Sequence, residues 1–292
     1  MSRFGNSRLV DSDGLPLCSL QDVNALESEE KERLYGCLIP PRLLERFAID
    51  HSSFTAKDGE KKVQFIAPEG LGLLRIEVRL RPGDRDCVFF VELADTPYRQ
   101  LELSFCIIND PESERFDIDH DTAGRDNNFG TVRRNVDEEI RAMEAGLSPH
   151  QVRRGMKMFS QFYTCLESFA DRLGLDTIIA EPLSYCNAVR YESYGFDYIT
   201  GKQLMLQIDR GFAPGGDLYR KLDNSSPFRR RGMEKTIKGR SWAIHDGILG
   251  YPWDGVHIYK TLGVDAGVNT FRTEDKGCVD SSKEAGENEE KV

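Results

Sequence analysis

Apolar residues at Val152, Met156, Phe159, Tyr163, Leu166, Ala170 and Leu173 recur at alternating spacings of four and three. That repeat marks one face of an α-helix. Ser148-Pro149-His150-Gln151 stands just ahead as a capping box with proline at the first helical position. The spacing therefore predicts a helix from Ser148 to Leu173, closed by Gly174 in the left-handed conformation. Arg153, Lys157, Ser160, Thr164, Glu167 and Asp171 fall on the opposite, wet face. Thr177-Ile178-Ile179-Ala180 reads as a strand, and Asn187 to Tyr194 as a short helix stopped by Gly195-Phe196.

Upstream, the period changes from helix to strand. Ser28-Glu29-Glu30 and Arg42 to Phe47 open short helices on either side of Pro40-Pro41, and residues 1–60 read as an irregular arm with a helical cap. Val63–Ile66, Leu73–Leu80, Cys87–Leu93 and Leu101–Ile108 follow as strands joined by short turns, which predicts an antiparallel meander. Leu73–Leu80 alternates cleanly, whereas Cys87–Leu93 is apolar enough for burial on both faces. Val136, Ile140 and Met143 share one side of a helix between Asn135 and Gly146. Beyond Phe196 we expect a strand at Tyr198-Ile199, another at Leu204 to Ile208, a strand or turn at Ser241 to Leu249 and a final strand at Gly255 to Tyr259. The main domain is expected over 61–264. Residues 265–292 are polar and acidic, which predicts a disordered tail.

Composition narrows the class of partner. A formal net charge of −10 opposes generic affinity for nucleic acid or anionic membranes. No apolar run is long enough to span a bilayer, and the first residues lack a signal-peptide core. Seven cysteines, without any Cys-x-x-Cys pair, read as reduced thiols of a cytoplasmic protein.

From Gly174 to Phe196 the order is strand, Asn187-Ala188 helix, then Tyr191-Glu192-Ser193-Tyr194-Gly195-Phe196. This stretch resembles the second half of the GNAT acyltransferase superfamily, and the wider resemblance runs from about Val63 to Ile208. It implies an α/β fold with a mixed, mostly antiparallel central sheet flanked by helices. It also implies a wedge between two parted strands that admits acetyl-CoA or another acyl-CoA, whose pantetheine pairs with exposed strand backbone. The implied activity is N-acyl transfer from the thioester to an amine, the acceptor being a small molecule or a protein. Tyr191, with Tyr194 behind it, is the implied acid for the departing thiolate. Glu102 and Glu92 lie on strands where the family places a base. The pyrophosphate loop corresponds to Arg153, Arg154, Gly155 and Lys157, with Asn187 opening the next helix, although Lys157 and Phe159 stand where the family has glycines.

Two other readings compete with catalysis by acyl transfer. The missing glycines suit a binding or regulatory protein of the same fold that has lost CoA. Asp117-x-Asp119-x-Asp121 with His120, and His245-Asp246, offer oxygen and nitrogen ligands for a metal-dependent enzyme, although Thr122 stands where a calcium loop needs glycine. The basic stretch from Arg229 to Arg240 reads as a solvated loop neutralised by neighbouring acids, or as a collector of anions.

Overall fold

The computed structural model describes residues 7–127 and 133–271. The remainder of the expected acidic tail, 272–292, and part of the glycine- and asparagine-rich loop lie outside the described residues. Three short helices come first: α1 (Leu20–Asn24), α2 (Ser28–Gly36) and α3 (Pro41–Arg46). Asp95 accepts from the N–H groups of Leu20 and Gln21, fastening the start of α1 to the sheet. The four meander strands follow as β1 (Val63–Ile66), β2 (Leu73–Val78), β3 (Phe89–Asp95) and β4 (Leu101–Ile108). Then come α4 (Val136–Glu144), α5 (Phe159–Leu173), β5 (Thr177–Ala180), α6 (Tyr185–Glu192) and β6 (Asp197–Thr200). The chain ends its ordered course in α7 (Lys202–Phe212), α8 (Asp217–Arg220), α9 (Ile237–His245) and β7 (His257–Thr261).

The seven strands form one sheet in the order β1-β2-β3-β4-β5-β7-β6. All neighbours are antiparallel except β4 and β5, so this is an α/β fold with a mixed, mostly antiparallel sheet flanked by helices. Its two faces differ. Leu74, Ile76, Phe89, Val91, Leu93, Leu101, Leu103, Ile178, Ala180 and Ile258 alternate onto a buried face. Phe162 of α5 meets Phe89 edge-on at 5.6 Å, and Tyr35 of α2 reaches Phe169 of α5, so the cap and the long helix cover the same side. On the other face Arg75, Glu77, Phe90, Glu92, Glu102, Phe105, Ile179, His257 and Tyr259 are half-buried or exposed. The expectation that β3 is buried on both sides is therefore corrected. Phe90 shields itself against Phe105 at 5.8 Å and under the guanidinium of Arg75, without a helix above it.

The long helix also starts later than its capping box suggests. Gln151 Oε1 does accept from Ser148 N–H at 2.8 Å, but the turn goes no further. His150 and Lys157 take left-handed backbone, with φ of 69° and 58°. The carbonyls of Val152 and Arg154 accept from Phe116 and Asp110 instead of a following helical turn. Val152 enters a second, smaller core with Phe116, Ile118, Leu147, Phe228 and Trp242. From Phe159 onward the expected stripe holds, with Tyr163, Leu166, Ala170 and Leu173 all buried. Asp171, read as wet, is buried.

Two further expectations are corrected. Leu204 to Ile208 is helical, because Met205, Ile208 and Phe212 meet the core with helical rather than strand spacing. Ser241 to His245 belongs to α9, capped by the Thr236 hydroxyl. Residues 265–271 are held down: Thr270 is 1% exposed and donates its N–H and hydroxyl to the buried Glu192 carboxylate, which also takes the Tyr198 hydroxyl.

Candidate active site

The parallel pair β4 and β5 is the discontinuity around which the site forms. Leu101, Glu102 and Leu103 pair with Ile178, Ile179 and Ala180, and there the pairing stops. From Ser104 to Ile108, β4 stays bonded to β3 alone among the described strands. At the same point a bulge shifts its register, Glu92 facing Phe105 while Leu93 faces Leu103. A bulge leaves an extra residue unpaired and bends its strand. The result is a fork in which no described strand pairs with Cys106 to Ile108 of β4 on the side facing β5.

The loop that opens α5 meets the end of that strand. A Cβ on Gly155 would lie 3.1 Å from the Ile108 carbonyl oxygen, so loop and strand backbone approach closely. Among the described residues, the backbone N–H groups from Gly155 to Gln161 donate no hydrogen bond, and α5 opens without a side-chain cap. Such a run of free donors at the positive end of a helix is a ready anion site. Lys157, at φ 58°, sits exposed in the middle of it and forms no ion pair among the described residues. Arg153 is not free for the same task. It bonds Asp86 at 2.8 Å and donates to the Ser113 carbonyl, while Arg154 donates to the Ala145 carbonyl. Neither arginine is helical, so the expected pairing of Arg153 and Lys157 on one helix face does not occur.

Across the fork, α6 brings Tyr191 toward β4. The half-buried phenol has Cys106, Arg190 and Tyr194 as its electrostatic neighbours. Burial pushes its pKa well above the usual tyrosine range, Cys106 adds to the rise and Arg190 opposes it. The Tyr191 ring packs on Phe196 at 4.9 Å and on Phe159 at 5.9 Å. Tyr194 lies 5.2 Å from Phe159 and 5.0 Å from Tyr163. The Tyr163 hydroxyl is buried with no hydrogen-bond partner among the described residues. Glu102 faces the open side and accepts from the Ser104 hydroxyl, and Glu92 is held by Arg75. Asn187 caps locally, its Oδ1 accepting from Ser184 at 2.7 Å in the first turn of α6, away from Tyr191 in the last.

No family model, curated protein or solved structure matches this chain. The chemistry of the fork therefore has to be argued from its own residues. Cys106 and Tyr163 are announced by no motif; they join the site because strand alternation and helix register bring them to Tyr191 and Tyr194.

The carboxylate–histidine pairs do not make a metal centre. Asp117 and Asp119 are bridged by Arg85 and Arg115, His120 bonds Asp119 at 3.0 Å, and Asp121 folds back on its own turn to hold Arg125. His245 Nε2 donates to the Glu139 carboxylate at 3.1 Å, and Asp246 holds Arg134, Arg229 and Ser226. Among the described residues no group of three or more such side chains is arranged to hold a metal ion. The basic stretch is neutralised in part: Arg229 pairs with Asp246 and the fully buried Arg240 with Asp209, while Arg231 and Lys238 donate to the Tyr219 and Gly146 carbonyls. No described helix is long and apolar enough to cross a membrane.

These ion pairs hold the second core, and acid should loosen it. Burial raises the Glu139 pKa, but bonds from His245 and Arg134 outweigh it and leave the group below its ordinary value. Asp246 is lowered in the same way by Ser226 and Arg134 against its burial. A folded pKa below the unfolded one contributes stability at neutral pH that disappears as pH falls through the folded value. Trp242 reports on this region through its Nε1–H bond to the Leu147 carbonyl at 2.9 Å. In Trp253→Phe protein we expect Trp242 emission to shift to the red as pH falls through and below the ordinary carboxylate range. Constant emission across that range would mean that the carboxylates do not secure this core.

Proposed function

We propose that this protein is a CoA-dependent N-acyltransferase with a GNAT-like arrangement, transferring an acyl group directly from the thioester to an amine. One observation carries the reading. The β4–β5 fork has free backbone donors of the Gly155–Gln161 segment at one end and the Tyr191 phenol beside Cys106 of β4. Phosphate oxygens suit the first feature, since charge-assisted bonds from oriented N–H groups are strong and specific. The backbone from Cys106 to Ile108, paired among the described strands with β3 alone, suits the amide groups of pantetheine. A buried, protonated phenol suits a thiolate that needs a proton as it leaves. The left-handed backbone at Lys157 also answers the missing glycine: the conformation is kept although the side chain has changed.

The test is direct. Acetyl-CoA at about 100 times its dissociation constant should stabilise the fold by about 2.7 kcal/mol. For a chain of this length that corresponds to about 5–10 °C in thermal midpoint. The absence of any shift with acetyl-, propionyl- or longer acyl-CoA would defeat the proposal.

A second reading has its own observation. Phe159 lies between α5 and α6, touching Tyr191, Tyr194 and the Arg190 guanidinium at 4.6 Å to the ring centroid. A ring lodged there favours a protein of the same fold that no longer admits CoA. The same titration separates the two, because this second protein would not respond to any acyl-CoA.

A further inference from the structure

The acyl-transfer reading supplies an acid but no base, and the open face of the sheet offers one. Ala180, the last paired residue of β5, lies between Leu103 of β4 and Ile258 of β7. Glu181 is therefore the next residue at the point where the fork opens, and His257 starts β7 beside it. Since Ala180 and Ile258 point to the buried face, Glu181 and His257 point to the open one. Their side chains meet, with His257 Nε2 at 3.7 Å from Glu181 Oε2, and both are about half exposed, at 50% and 59%.

Hydrogen bonding fixes which imidazole nitrogen is free. The Thr200 hydroxyl donates its one proton to the Gly255 carbonyl at 2.7 Å. Its 3.0 Å contact with His257 Nδ1 must then be donated by the ring. Neutral His257 consequently carries its proton on Nδ1 and its lone pair on Nε2, facing Glu181. The Glu181 carboxylate beside that nitrogen attracts an approaching ammonium group.

Acid and base thus approach the fork from opposite faces. Cys106, beside Tyr191, pairs with the buried Val91, so the phenol comes from the helix-covered side. The open side also carries Glu102, which faces Ile179 in the register and has no arginine or lysine partner among the described residues, unlike Glu92 and Glu77. Two carboxylates beside the fork without an arginine or lysine partner among the described residues, Glu102 and Glu181, favour a cationic acceptor.

Resting on the acyl-transfer reading, we propose that a primary amine, arriving as its ammonium form, reaches the thioester across the open face of the sheet. His257 Nε2 takes its proton as general base. The freed nitrogen lone pair attacks the thioester carbonyl, the N–C bond forms and the C–S bond breaks. The thiolate takes the Tyr191 proton, the acylated nitrogen gives its second proton to the phenolate through solvent, and His257 releases the first to bulk solvent, so one proton leaves per turnover. Glu181 and Thr200 are positioning residues.

The experiment uses the full chain, acetyl-CoA, and methylamine at high concentration as the probe, reading thiol release alongside acetyl-CoA affinity. His257→Gln should lower the methylamine rate by about 10²–10⁴-fold, abolish the acidic limb of the pH–rate profile and leave acetyl-CoA affinity unchanged. Hydroxylamine, whose nitrogen is already unprotonated at neutral pH, should keep most of its rate in that variant. Glu181→Gln should raise the KM for methylamine without removing the acidic limb. A His257→Gln protein that retains the methylamine rate and the limb overturns the assignment. So does native protein that binds acetyl-CoA yet gives no methylamine-dependent thiol release. Failure to bind acetyl-CoA at all is a different result: it removes the acyl-transfer reading itself, and this base with it.

Discussion

Tyr191→Phe is expected to lower acyl transfer by about 10²–10⁴-fold while leaving acetyl-CoA affinity and thermal midpoint almost unchanged. The separation follows from what the side chain touches. Its ring packs on Phe159 and Phe196, and phenylalanine keeps both contacts. Its hydroxyl makes no hydrogen bond among the described residues, so removing it leaves no buried partner unsatisfied. Burial holds the phenol protonated at neutral pH, which is the state an acid needs before it can give a proton to sulfur. The comparison that sharpens the result is Tyr194→Phe. Tyr194 stands outside the last turn of α6, against Phe159 and Tyr163, and its loss should change turnover by less than tenfold. Steady-state kinetics with acetyl-CoA binding measured in parallel decides between them. Equal loss in both variants would mean that the phenols act only by packing the gap between α5 and α6.

Much of the fold was legible because burial follows period. Strand β2 and the body of α5 put their apolar residues at two-residue and helical spacing, and the structure buries Leu74, Ile76 and Val78 and the stripe from Tyr163 to Leu173. The start of α5 was hidden for a physical reason. A capping box at Ser148 is satisfied locally, but the backbone bonds from Asp110 and Phe116 that draw residues 150–158 into a loop are tertiary. Short apolar runs carry the weakest signal, and Leu204 to Ile208 fits either period until Phe212 is included. For the site, Tyr191 and the loop came from a motif and were named in advance. Glu181 and His257 could not be, because they meet only after β7 has been inserted between β5 and β6 in the sheet. The His-Asp dipeptides misled in the opposite direction. Each sits beside arginines that answer its carboxylates, and adjacency in sequence said nothing about that.

Lys157→Pro should weaken acyl-CoA binding by about 10–150-fold, the worth of one charge-assisted hydrogen bond at 1.5–3 kcal/mol. Proline removes the N–H at the centre of the loop and holds φ near −65°, whereas the native backbone needs 58°. Lys157→Gly makes the complementary change. Glycine adopts the left-handed region freely, so relief of about 1 kcal/mol should raise the thermal midpoint of the unliganded protein by about 2–4 °C. Only the ammonium is lost, and affinity should change by less than about tenfold because the site is exposed to solvent. The pair of variants distinguishes backbone from charge, which inspection of a lysine among free N–H groups cannot do. Calorimetric titration with acetyl-CoA gives both numbers. Proline-variant affinity equal to native would remove the pyrophosphate from this loop altogether. A glycine variant as weak as the proline one would make the side chain the anchor, and the left-handed turn merely the means of presenting it.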